Sequence, residues 1–567
     1  MTENIKILAL RLLDRFDEHI SAKLLLSNRT WRAGEKPYFK PVARYTRFTG
    51  LHVVASLGVA GILPALLDMK EWDVNAGDYM GMTALTWASG RGHEEVVKIL
   101  LEREGVDPNR PDTFYGRTPL SWAAENGHEG IVKMLLERED VDPDQPDTKY
   151  GRTTLLWAAK KGHEGIVKML LERADVNPDQ PDTESDGTPL SWAAEGGHEG
   201  IVKMLLERAD VNPDRADTIH DETPLSWAAG RGHAGVVRML LEREDVNPNQ
   251  VVARYRQTLL SWAAAKGHEG IVKMLLERAD VNPHQTDTEY GRTSLSWAAE
   301  NGHEGIVVML LEREDVNPDQ ADIKFDRTPL SWAAKNGHEG IVKMLLERED
   351  VDPNQADIYG QTPLLWATLY GREEVVRMLL ERDDTNPNQA DTFYCQTPLT
   401  LAATNGHEAV VKMLLQREDA NPNQADICGL TPLSFVAQSG HEGAVKMLLE
   451  RDDVNPNQAD TQYDRTPLSL AAANGHQEVV KTLLQRVEVN PNQADIYGQT
   501  PLLWATLYGR EEVVKMLLER YDVNPNKADT NYGLPPLSLA AANQHEGIVM
   551  MLLERNDVHT AIPDKQN

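Results

Sequence analysis

The chain reads as an all-α solenoid of about fifteen stacked helix–turn–helix units, preceded by a short helical segment. Three observations predict this. A unit of 34 or 35 residues, seen plainly at 118–138 as TPLSWAAENGHEGIVKMLLER, returns with small changes along almost the whole chain. The apolar residues of one unit point to opposite sides, so a unit buries them only by stacking on a neighbour at each side. The length of 567 residues exceeds what one compact core supports, a limit that stacking removes.

Within the unit, Thr118 is a natural N-cap and Pro119 sits at the first helical position, where its missing N–H costs nothing. Leu120, Trp122, Ala123 and Ala124 continue the first helix, and Asn126-Gly127 ends it. Leu120 and Trp122 stand about 200° apart around the helix, and the alanines let neighbouring helices approach. A second helix is expected from about His128 to Arg138, with Ile131, Val132, Leu135 and Leu136 as two i,i+4 apolar pairs and Met134 beside them. Glu129 and Lys133 face water in the favourable order, worth a few tenths of a kcal/mol. The connection 139–152 is polar, with Asp-Pro and Tyr-Gly turn signals.

The pattern T-P-L-x-x-A-A-x-x-G-H-x-x-I-V-x-x-L-L resembles the ankyrin repeat, over about nine-tenths of the chain. The resemblance implies a curved solenoid of helix pairs with finger loops. It also implies a non-catalytic scaffold that binds a protein partner through its concave face and finger loops, with no cofactor. Four departures stand out. The period exceeds the usual figure of about 33, with the extra residues in the finger. Ser121 stands where the family has His, Glu139 where it has Gly, and Trp122 where it has a smaller apolar residue.

In chain order, residues 1–48 form an N-terminal segment whose beginning reads as an amphipathic helix, with Ile5, Leu8, Leu12 and Phe16 near helical spacing. The array spans 49–558. Its first copy is degenerate, TGLHVVASLGVAGILPALL from Thr49, and keeps the family His as His52. Later copies start at Thr83, Thr118 and every 34 or 35 residues thereafter, the last at Pro535. The block 351–384 recurs almost unchanged at 489–522, four repeats on, so the array grew by copying blocks. In the last copy Met550 replaces the usual Lys, and either the tail 559–567 covers that end or the end is a contact surface.

Net charge is −30, from 88 acidic and 58 basic residues, which argues against direct binding to nucleic acid or to anionic membrane. It favours solubility and a basic partner. Two cysteines in so long a chain indicate a reducing, intracellular setting, cytoplasmic or nuclear. Cys395 and Cys428 fall at non-equivalent finger positions, about a repeat apart, so they read as free thiols. No apolar run is long enough for a transmembrane helix, and Arg11, Asp14 and Arg15 interrupt the only region resembling a signal peptide.

Recurring residues invite functional readings that stacking explains better. Aligned histidines such as His128 and His163 carry half of an H-E-x-x-H motif, but Val132 follows where the second His belongs. They are expected to cap or bridge the turn between helices. Aligned tryptophans such as Trp122 and Trp157 lie too far apart to stack directly and are expected in the core. Asp140, Asp142, Asp144 and Asp147 lack the Gly and Glu of a calcium loop. No phosphate loop, nucleophile elbow or dinucleotide fingerprint is present.

Partner-binding candidates come from places where copies differ. The two residues before the Gly-His turn vary, and Leu369-Tyr370 and Leu507-Tyr508 place apolar anchors there, on the side that the resemblance assigns to the concave face. Drift carried by the block duplication is the alternative. The finger 251–257 replaces the acidic pattern with Val251, Val252, Arg254, Tyr255 and Arg256, either a hot spot or a degenerate repeat. The residues GLHVVASLGVAGI, together with the helical piece before them, also resemble the junction of fungal sensor proteins in which a nucleotide-binding switch domain precedes the ankyrins. On that resemblance the chain is a relic or fragment lacking the NTPase. A second resemblance is to fungal ankyrin co-regulators of transcription, some belonging to secondary-metabolite gene clusters, which would reach DNA only through a partner.

Overall fold

The computed structural model describes residues 3–14, 48–69, 71–252 and 256–559. They fall into two compact units, Met1–Ala263 with His268–Asn282, and Ala264–Gly267 with Pro283–Asn567. Both are all-α stacks of helix pairs. In the first, Gly50–Leu57 packs on Ala84–Arg91, followed by Pro119–Glu125, Thr154–Lys161, Pro189–Gly196 and Pro224–Arg231. A second row runs from Leu63–Met69 through Glu94–Leu101 and Glu129–Leu136 to Glu269–Glu277. In the second unit the first helices run from Ser294–Asn301 to Pro536–Ala542, and the second helices from Glu304–Leu311 to Glu546–Leu553. Among the described residues the only strands are Val251–Val252 and Gln257–Thr258, a short antiparallel pair in one finger.

Local chemistry sets each helix. The Thr118 hydroxyl accepts the Ser121 N–H at 3.1 Å, and the same bond recurs at Thr188, Thr223, Thr328 and Thr466. Ser191, where the family has His, adds a hydroxyl contact to the cap Thr188 at 3.0 Å. His52, which keeps the family residue, accepts the Thr49 N–H on Nδ1 at 3.1 Å. Its Nε2–H therefore points to the carbonyls of Ala76 and Met82, both at 3.1 Å, and burial holds its pKa below the ordinary histidine range. The second helix is Glu129–Leu136, shorter than expected at both ends. Leu120, Ala123, Ala124, Ile131, Val132 and Leu135 are buried between repeats, whereas Met134 and Leu136 are half-buried. Each fully buried aliphatic side chain contributes about 1.5–3 kcal/mol.

Two side-chain devices join successive repeats. Arg138 grips Asp140 with Nε and Nη2, at 2.8 and 2.7 Å, while Nη1 donates to the Leu101 carbonyl of the preceding second helix at 3.1 Å. The hydrogen bonds from Arg138 hold the Asp140 carboxyl below its usual range. In the fingers, Asn109 donates Nδ2–H to the Asp140 carbonyl at 2.5 Å and accepts the Asp142 N–H at 2.9 Å, bracketing the next repeat's backbone. Both bonds recur at Asn354, Asn388, Asn423, Asn457 and Asn492.

Two expectations change. The N-terminal helix, Glu3–Asp14, buries Leu13 and leaves Leu8 and Leu12 exposed, because it meets the array at Gly50, whose missing side chain makes room for the Leu13 carbonyl. Phe16 lies outside the described residues, as does the tail beyond residue 559. The histidines stand at the N-cap position of their second helices, but their side chains make no cap bond there. Instead His163 Nε2 donates to the Glu125 carbonyl of the preceding repeat at 3.0 Å, and its ring lies where a Cβ at Gly127 (φ +78°) would stand. The bridge is between repeats, and in the duplicated block Arg372 makes it through Nε to Lys335 O at 3.2 Å.

Candidate interaction surface

The surface begins with one finger aspartate. Asp112 accepts the N–H groups of Phe114 and Tyr115 on Oδ1, at 2.9 and 2.6 Å, and so shapes the finger turn. Its Oδ2 takes the Trp122 indole N–H at 3.0 Å. The pairing recurs at Asp147 with Trp157, Asp217 with Trp227 and Asp495 with Trp504, each at 3.0 Å. Each tryptophan therefore stands against its own finger, with Trp122, Trp192, Trp227 and Trp297 half-buried. Trp157, Trp262, Trp332 and Trp366 are buried, as expected of core residues. Within each unit the column lines a wall where the first helices meet the fingers.

An arginine that the sequence reading passed over completes the wall. Arg117, just before the T-P-L motif, places Cζ 4.8 Å from the Trp122 ring centre and 3.7 Å from that of Trp157. It is thus sandwiched between its own tryptophan and the next repeat's. Arg152 does the same with Trp157 and Trp192, at 5.0 and 5.1 Å, Arg292 with Trp297 and Trp332, at 4.6 and 3.8 Å, and Arg327 with Trp332 and Trp366, at 5.0 and 4.4 Å. Carboxylates hold these cations in place. Arg117 pairs with Glu125 and Arg292 with Glu300, eight residues on, while Arg152 and Arg327 reach the next finger's Asp182 and Asp357 at 3.1 and 3.0 Å. A desolvated cation over an indole face contributes about 2 kcal/mol. The signal was the recurring Gly-Arg-Thr at 116–118, 151–153 and 291–293, which reads as turn punctuation until the next repeat is in place.

The sequence candidates fall on different repeats. Leu369 is half-buried and Tyr370 is 47% exposed at the end of Pro363–Leu369, its ring stacked on Trp366 at 6.1 Å and 16°. Leu507 and Tyr508 repeat this, with Tyr508 stacked on Trp504 at 5.8 Å and 8°. The other finger candidates separate. Val252 is buried in the strand pair and is out of a partner's reach, Val251 is half-buried, and Arg256 is exposed at φ +53°. Arg254 and Tyr255 lie outside the described residues.

Other finger residues were missed. Phe114, Ile219, Ile323, Ile358, Phe393 and Ile427 are all large, apolar and more than half exposed at finger turns. Their positions read as variable loop because nothing local distinguishes a turn residue that packs from one that projects. Cys395 is exposed and Cys428 half-buried, both as free thiols. Of the finger carboxylates, Asp140 is held by Arg138, Asp144 accepts the Asn177 N–H, and Asp147 is buried on its own turn and on Trp157. Among the described residues no helix is long and apolar enough to cross a membrane.

The family model of ankyrin repeats (three copies) matches the chain eight times, at 19–112, 104–182, 175–251, 244–322, 314–391, 399–495, 453–529 and 487–564. No curated protein matches the chain.

Proposed function

Because the chain belongs to the ankyrin-repeat family, whose arrays are in general protein–protein interaction modules and typically non-catalytic, we propose that it is a scaffold that binds a protein partner on its finger-side face. One observation carries this reading. Large apolar side chains that could have been buried are instead exposed along the finger turns and first-helix ends, as at Ile323 (81%), Phe393 (68%) and Tyr508 (53%). Exposed aromatic and aliphatic anchors beside fixed polar groups are the composition of binding hot spots. Leu369, Tyr370, Leu507 and Tyr508 are the first anchors to test, and the exposed Arg256 marks a basic finger in an otherwise acidic array.

Affinity capture with the full chain tests this. A variant carrying Leu369→Ala, Tyr370→Ala, Leu507→Ala and Tyr508→Ala is expected to lose, by about tenfold or more, at least one protein that the parent retains. Identical captured proteins at identical yield would remove these anchors from the face. For biological setting, the reading as a co-regulator rests on the resemblance in sequence, and the acidic net charge places any DNA contact on a partner. Fluorescent tagging tests it, since exclusion from the nucleus under all conditions contradicts co-regulation.

A further inference from the structure

We propose that the cleft between Trp192 and Trp227 is an arginine receptor, which takes the guanidinium of an arginine side chain presented by the protein partner. The inference rests on the interaction reading above and gives it a specific ligand chemistry.

The array itself shows what such a slot holds. Between Trp122 and Trp157 the occupant is Arg117, between Trp157 and Trp192 it is Arg152, and between Trp297 and Trp332 it is Arg292. In each case the arginine comes from the residue before the cap threonine of the repeat. In the repeat that starts at Thr188 that residue is Gly187, the only copy with glycine there. No side chain of its own fills the place, and a cleft of about 430 Å³ opens, lined by Trp192, Trp227, Glu195, Asp217, His220 and Ile219 among others.

The groups that would hold the missing cation are still present. Glu195 is the counterpart of Glu125. Glu125 gives Oε1 to Lys161 of the next repeat and Oε2 to Arg117. Glu195 gives Oε1 to Arg231 of the next repeat at 2.6 Å and lines the cleft, and its Oε2 is the counterpart of the oxygen that meets Arg117. Asp217 is the counterpart of Asp182 and Asp357, which accept from Arg152 and Arg327, and its Oδ2 is oriented by the Trp227 indole N–H at 3.0 Å. On the other wall, Trp192 gives its indole N–H to Asp182 at 3.3 Å, and a Cβ at Gly187 would lie 2.8 Å from its Nε1.

Two cations also line the cleft, Arg152 and Lys160, both reaching Trp192 from the preceding repeat. Arg152 is neutralised by Asp182 and Glu184. Moreover, Arg117 and Arg152 themselves flank Trp157 in consecutive slots, so a guanidinium beside a filled slot is an arrangement the chain already tolerates. A planar guanidinium fits between two indole faces and offers fixed donors to two carboxylates, which a lysine ammonium does not.

The test uses the full chain labelled with 5-fluorotryptophan, with the Trp192 and Trp227 resonances assigned from Trp→Phe variants. The probes are acetyl-Gly-Arg-Gly-amide, its citrulline counterpart of equal shape and no charge, and its lysine counterpart. The expected result is a saturable shift of both resonances with the arginine peptide, with the citrulline and lysine peptides about tenfold weaker or more. Gly187→Arg, which fills the slot from within, is expected to abolish the response while the circular dichroism stays unchanged. Glu195→Gln, at a half-exposed carboxylate, is expected to weaken binding by about threefold to tenfold and carries the test if Gly187→Arg does not fold. No shift of these two resonances, equal shifts with arginine and citrulline, or a full response in Glu195→Gln would overturn the proposal. Such a result leaves the interaction reading to the Tyr370 and Tyr508 capture experiment, which probes other repeats.

Discussion

At the scale of single residues, the finger-side face is made by side chains whose partners belong to the next repeat. Arg117 reads as part of a turn until Trp157 is placed over it at 3.7 Å, and for that reason the sequence yielded the tryptophan column but not its occupant. Lys160 shows the same dependence. Its ammonium lies 3.3 Å from the Trp192 ring centre, and burial there, with Arg152 nearby, pushes its pKa down to about 8. The folded chain releases this proton more readily than the unfolded chain. Between pH 8 and the ordinary value of 10.5 the unfolded state therefore binds more protons, and folding at this site is favoured progressively as pH rises through that window. Carbon-13 NMR of the reductively methylated chain, with Lys160→Met to assign the signal, is expected to show one lysine titrating near pH 8. A Lys160 midpoint at the ordinary lysine value would contradict the burial of this side chain against Trp192.

At the scale of elements, the helices were legible and the fingers only partly so. Caps, proline positions and apolar spacing are local, and Thr118, Pro119, Ile131 and Leu135 do in the fold what their spacing implies. The finger ladder depends on register between repeats, which no single repeat displays. Where Asn109 both donates to and accepts from the next finger, Asp144, Asp179, Asp214 and Asp319 can only accept, and one oxygen of each is buried without a partner. Burial accordingly raises the pKa of all four carboxyls above the usual range. The folded state binds their protons more tightly than the unfolded state, so their penalty is present at neutral pH and is relieved as pH falls through the raised values. Replacing the four by Asn is expected to stabilise the chain at pH 7 by about 0.5–1 kcal/mol per site, since an amide restores the missing donor. Urea unfolding at pH 7 and pH 4.5 checks this. The gain should shrink at the lower pH, and a destabilised variant, or a gain independent of pH, would contradict the ladder.

At the scale of the molecule, recurrence explains architecture and departures from it carry the binding hypothesis. The all-α stack was readable because the same unit returns across the array and each copy needs neighbours. The face was less readable. Tyr370 and Tyr508 were visible as breaks in the pattern, but Gly187 was not, because a glycine in a turn is unremarkable until the arginine it replaces is seen at work in other copies. The net charge of −30 fits a partner that contributes cations. The most direct test of a finger-side scaffold is site-specific photo-crosslinking in cells, with p-benzoylphenylalanine placed at Tyr370, Ile323 or Phe393 in the second unit, and at Lys343 or Lys412 on second helices of the same unit. The account predicts covalent adducts to the same partner protein from the first set and none from the second. Adducts from the second-helix positions alone, or from both sets equally, would contradict it.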